Sequence, residues 1–135
     1  MSTGIEGLGK GHQFPPTSFV LDDEAVARYL TAVEDEALPR LTQAAGLAWV
    51  PPMAVAALAL RSLMEELSLP AGSIHASQEL EFQRPLTAGE ALTCRAWVAH
   101  RSQRGEWWLL AVELEVQDEA GQPVLAGRST LMIPR

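Results

Sequence analysis

The chain has 135 residues and a formal net charge of -7. Its length fits one ordinary domain, and 47% hydrophobic against 20% charged residues is a globular composition rather than a disordered one. The acidic balance argues against nucleic acid and anionic membranes, which would repel it. An anionic small ligand needs only a local basic patch, for which Arg84, Arg95, Arg101 and Arg104 are candidates. The single cysteine, Cys94, allows no internal disulfide. The longest apolar stretch, Val50 to Leu60, falls short of the roughly 20 residues that span a bilayer. Met1 to Gly7 lacks the basic segment and apolar run of a signal peptide. A cytoplasmic protein is the default expectation.

In chain order, residues 1–17 carry Gly4, Gly7, Gly9, Gly11, Pro15 and Pro16. They read as a flexible N-terminal segment ahead of one domain over 18–135. Ser18 to Leu21 is a short apolar run, a candidate first strand. Asp22 offers an N-cap oxygen, and Asp23 and Glu24 place negative charge in a first helical turn. Ala25, Val26, Tyr29, Leu30 and Val33 follow at helical spacing, so 23–34 reads as an amphipathic helix. Pro39 and Gly46 interrupt the stretch over 35–50, where a short helix at 36–44 or an ordered loop fits equally.

Pro51-Pro52 suits the first turn of a second helix. Met53 to Leu60 has no polar side chain, which predicts a helix over 52–69 buried on nearly every side. Ala54, Val55, Leu58 and Leu63 are expected in the core. After Gly72 the chain reads as strand. Ile74, Ala76, Leu80 and Phe82 alternate with polar residues, as do Leu92 to Val98 and Trp108 to Val116, and Val124 to Ile133 closes the chain. Polar turns lie at 85–89, 101–105 and 118–123. Short connections force antiparallel neighbours. One-sided alternation demands an apolar object to pack against, and only the 52–69 helix is large enough. The class is α+β: an antiparallel sheet wrapped around a long central helix, the hotdog arrangement.

The segment Ile-His-Ala-Ser-Gln-Glu-Leu-Glu-Phe-Gln-Arg-Pro-Leu-Thr-Ala-Gly-Glu at 74–90 resembles the N-terminal half of MaoC-like hydratases and dehydratases, including the fatty-acid-synthase-type dehydratases. Phe19-Val20 before the first helix, Pro51-Pro52-Met53 before the central one, and Gly127 to Leu131 resemble other parts of that family in the same order. The resemblance spans about 18–134. It implies a hotdog protein acting on hydroxyacyl or enoyl thioesters of coenzyme A or acyl carrier protein, with no metal and no cofactor.

Catalytic members carry an Asp, an Asn and a His after the first helix. Here Asp35 stands at the Asp position, but no Asn or His follows before the central helix, and the chain has no Asn at all. Hydration needs two proton-handling groups around one water. The resemblance therefore implies a substrate-binding, dyad-lacking subunit, a homodimer or a heterodimer with a catalytic hotdog subunit. A hotdog thioesterase and a non-enzymatic acyl-binding module are the alternatives.

The candidate catalytic residues are Asp35 and His75, each with a plain surface role as its competitor. Pro52 and Met53, at the start of the central helix, and the cations Arg84 and Arg101 are the substrate-binding candidates. Cys94 falls in phase with the apolar face and reads as core. Of the adjacent Trp107 and Trp108, one is expected in the core and the other at an interface.

Overall fold

A computed structural model describes residues 4–135. Five strands form one antiparallel sheet: β1 (Thr17–Val20), β2 (Ile74–Phe82), β3 (Ala91–Arg104), β4 (Trp107–Gln117) and β5 (Pro123–Pro134). Their order is β1-β3-β4-β5-β2. Three α-helices precede β2: α1 (Asp23–Ala32), α2 (Ala37–Ala45) and α3 (Pro52–Leu67). The hotdog arrangement expected from the alternation is the one observed.

The core lies between α3 and the inward side of the sheet. Ala54, Val55, Ala56, Ala59, Leu63 and Leu67 of α3 are buried against Leu110, Val112, Leu114 and Val116 of β4 and Leu125, Leu131 and Ile133 of β5. The small residues Ala54, Ala56 and Ala59 let the strands approach the helix closely, where larger ones would hold them off. β3, β4 and β5 contribute their inward-facing residues at alternate positions, as period-2 geometry requires. Cys94 takes one such inward position on β3 and is buried.

Three expectations need correction. α3 is not buried nearly all round: Met53 is 49% exposed and Ala57 is exposed too, and Leu58 is only half-buried. The sheet covers one side of the helix, and nothing among the described residues covers the other. Second, β3 and β4 run on through the stretch read as a polar loop at 101–105, so only Gly105 and Glu106 turn. Gly105 has φ +58°, which a tight turn between long strands requires. Third, the inward phase of β2 does not begin at Ile74. A bulge between His75 and Ser77 shifts the register, and one extra residue flips every side chain before it. His75 therefore pairs with Leu131, in phase with Gln78, Leu80 and Phe82, and Ile74 faces outward, 46% exposed.

Met1 to Thr3 of the N-terminal segment lie outside the described residues. Further on, Leu8 and Phe14 are buried. The Gly11 amide donates to the Val98 carbonyl (2.8 Å), the Val98 amide to His12 (2.8 Å) and the Phe14 amide to Ala96 (3.0 Å), so this stretch lies along β3.

Candidate functional site

A broad concavity lies between α1 and α2. The Asp22 carboxylate accepts from the Ala25 amide at 2.8 Å and starts α1. Val26 and Leu30 then fall on one face, four residues apart. α1 ends at Ala32, Glu34 takes φ +57°, and the Asp35 amide donates back to the Leu30 carbonyl at 3.0 Å. This reversal sends the chain into α2, which stands off from α1. α2 ends at Gly46, whose φ of +69° suits a left-handed cap. The chain is then tied down, with the Ala88 amide donating to Ala48 (2.7 Å) and the Val50 amide to Leu86 (2.8 Å).

The cleft left between these segments has a volume of about 880 Å³, within the usual range for small-molecule sites. Val26, Leu30, Pro39, Ala48 and Trp49 supply apolar surface. Asp23, Glu34, Asp35 and Glu36 also line it, together with Thr31, Thr42 and Gln43, and no Lys, Arg or His does. Such a mouth favours a neutral group and repels phosphates.

Asp35 is thus a cleft residue. One of its oxygens is occupied by structure: Oδ1 accepts from the amides of Ala37 (2.9 Å) and Leu38 (3.2 Å), two of the free N–H groups at the start of α2. His75 lies elsewhere. It sits near the start of β2, on the strand's concave side, and its Nε2 is 3.0 Å from Gln78 Oε1. Gln78 Oε1 also accepts from the buried Ser129 hydroxyl at 2.5 Å. His75 does not line the cleft, and Asp35 and His75 share no hydrogen bond.

Pro52 and Met53 are exposed at the start of α3 and do not line the cleft. Pro52 borders a small crevice with Val55, Phe82 and Arg84. Arg84 Nη2 bridges Glu90 Oε1 and Asp118 Oδ2, both at 2.8 Å. With two carboxylates already on it, this guanidinium has little left for a phosphate. Its hydrogen bonds, aided by its charge, hold the Glu90 and Asp118 carboxyls below their usual range. The Arg101 guanidinium lies 4.2 Å over the Trp108 ring, at the far end of the sheet. Burial pushes the Cys94 thiol up to about 11. Among the described residues, no three His, Cys, Asp or Glu are gathered to hold a metal.

Sequence reasoning missed most of the cleft wall. Their spacing marks Val26 and Leu30 only as one face of an amphipathic helix and does not say what that face meets. Pro39 lies in the first turn of α2 and Gly46 caps its end, so the reversal that separates α2 from α1 falls earlier, at Glu34 and Asp35.

A sheet folded over one helix, with an apolar cleft beside it, defines the hotdog class. Residues 9–126 match the family described as FAS1-like, dehydratase domain region, and the chain belongs to that family. This agrees with the MaoC-like resemblance of residues 74–90. A search of curated proteins found no match. Among solved structures, the (R)-hydratase from A. caviae involved in PHA biosynthesis is similar over 96% of this chain and 99% of its own, with 22% identity and a TM-score of 0.78. A monoamine oxidase regulatory protein from Archaeoglobus covers 100% of this chain and 98% of its own, at 15% identity and a TM-score of 0.81. The HadBC (3R-hydroxyacyl-ACP dehydratase) complex from Mycobacterium tuberculosis covers 93% and 96%, at 20% identity and a TM-score of 0.73. At these identities the likeness concerns the fold. No helix is long and apolar enough to cross a membrane among the described residues.

Proposed function

We propose that this chain binds the acyl part of a hydroxyacyl or enoyl thioester of coenzyme A or acyl carrier protein. In this reading it serves as the substrate-binding subunit beside a catalytic hotdog subunit, in the cytoplasm. The observation that carries the reading is the α1–α2 cleft: apolar walls and one capping carboxylate, Asp35, without a histidine. Family membership supports the thioester class. Two of the similar structures are assemblies, HadBC and the ChsH1-ChsH2 complex from Mycobacterium tuberculosis, which supports pairing with a second hotdog chain. The carboxylate rim favours delivery in which the phosphates stay outside the mouth.

The test is thermal unfolding with and without an acyl thioester. A ligand at about 100 times its Kd stabilises the folded state by ~2.7 kcal/mol, several degrees in Tm for a domain of this size. Leu30→Trp, which fills the cleft, is expected to abolish the rise. An unchanged Tm across a series of acyl chain lengths rejects the reading.

A further inference from the structure

Cations are the scarcer charge in this chain, 10 Lys and Arg against 17 Asp and Glu. Arg28, Arg61, Arg84 and Arg128 each hold a carboxylate at 2.8 to 3.1 Å. Three others, Arg101, Arg104 and Arg135, hold none among the described residues, and all three gather at the tip of the β3–β4 hairpin. Acidic neighbours are close by but do not pair with them. Arg101 Nη1 meets the Glu6 backbone carbonyl at 3.5 Å, and the Arg135 amide donates to the Glu106 carbonyl at 3.0 Å.

The tip sets these cations beside two tryptophans. Register places Gln103 opposite Trp108 and Arg104 opposite Trp107, and residues so paired share a face of the sheet. Trp108 is in turn opposite the core residue Ile133, so it lies on the inner face, with Arg101 4.2 Å over its ring. Arg104 and Trp107 therefore share the outer face. Both indoles are half-buried, and Arg104 and Arg135 are exposed.

An acyl ligand in the α1–α2 cleft does not account for this cluster. Ala88 lines that cleft just before β3 starts, whereas Arg104 ends β3. Fourteen residues of strand at ~3.3 Å each put tens of ångströms of sheet between them. A nucleotide is a poor fit as well. Trp108 has Arg101 on its ring and packs against the core, so it has no open face for a base, and a hairpin tip is convex. Arg and Trp in one patch are instead the composition of protein interface hot spots, and a guanidinium grips a carboxylate through two parallel N–H groups.

From this juxtaposition we infer that the β3–β4 hairpin tip docks on an acidic surface of a partner protein, whose carboxylates meet Arg101, Arg104 and Arg135 while an apolar residue covers Trp107. The inference is independent of acyl binding in the cleft.

A fluorescein-labelled peptide of Glu and Leu serves as the acidic surface. Its anisotropy is expected to rise with added chain at low salt, although the net charge of -7 repels it elsewhere, and to fall back as salt screens the contact. Arg104→Gln/Arg135→Gln, which changes exposed side chains only, is expected to weaken binding about tenfold. Trp107→Leu is expected to weaken it severalfold. Arg61→Gln, which removes a cation already held by Glu65, is expected to leave it unchanged. A wild-type chain that does not bind, or an equal loss with Arg61→Gln, overturns the inference. Full binding by Trp107→Leu reduces the effect to charge attraction and overturns it too. Displacement of the peptide by equimolar free coenzyme A makes the tip a nucleotide site and also overturns it.

Discussion

Arg84 and Cys94 carry the clearest chemistry of single residues, and in both it serves the fold. Arg84 ties the loop after β2 to Glu90 ahead of β3 and to Asp118 after β4. Because its hydrogen bonds and charge lower the pKa of both carboxyls, the stabilisation they contribute is present above the ordinary carboxylate range. It is lost as pH falls through their depressed folded values. Arg84→Ala is therefore expected to be less stable than wild type at pH 7 in urea unfolding, with the difference shrinking as pH drops below about 4. A difference constant down to the acid limit contradicts the ion-pair account. Cys94 shows the opposite effect, since burial raises its thiol to about 11 from 9.0. At pH 8 the folded thiol is roughly a hundredfold less ionised than a free one. A disulfide-exchange reagent should label it slowly in the native chain and promptly in urea.

Among the elements, β2 is paired on one side only, while α3 carries more buried residues than α1 or α2. β2 bonds only to β5, and at Gly127 the two strands leave no room for a side chain. A Cβ there meets the Glu79 carbonyl oxygen and Leu80 Cδ2, both at 3.2 Å. Gly127→Ala is expected to push β2 outward and cost about 1–3 kcal/mol, the usual range for overpacking, measurable by urea denaturation. An unchanged midpoint means that β2 yields freely. The bulge between His75 and Ser77 belongs to this scale too. It turns His75 to the concave side, against Gln78 and Ser129, although strict alternation assigns it to the other face.

At the scale of the whole molecule, no histidine lines the α1–α2 cleft. His12 packs edge-to-face on Phe14, His75 lies on β2 and His100 on β3. Each general acid or base is worth roughly 10² to 10⁴ in rate, and the cleft offers carboxylates, Asp35 among them, but no histidine to complete an Asp–His pair. The purified chain is expected to hydrate crotonyl-type coenzyme A thioesters weakly or not at all, followed by loss of enoyl absorbance. Asp35→Ala and His75→Ala are expected to leave that background unchanged. Robust turnover abolished by both substitutions means that these residues meet in an arrangement this fold does not supply.

Local pattern alone determined the class of fold. Alternation in β3, β4 and β5, the apolar run of α3 and the Asp22 cap are short-range signals, and each element formed where its signal lay, because periodicity records which side of an element is dry. The absence of an Asp–Asn–His series is equally plain in the chain. Tertiary structure decided what those sides face. It bared one side of α3 by covering only the other, and it swung α2 away from α1 to open a cleft that Val26 and Leu30 do not announce. It also spent Arg84 on Glu90 and on Asp118, 34 residues away, and left His75 off the lining of the cleft that holds Asp35. These outcomes depend on contacts between residues far apart in the chain, and neither spacing nor composition encodes such contacts.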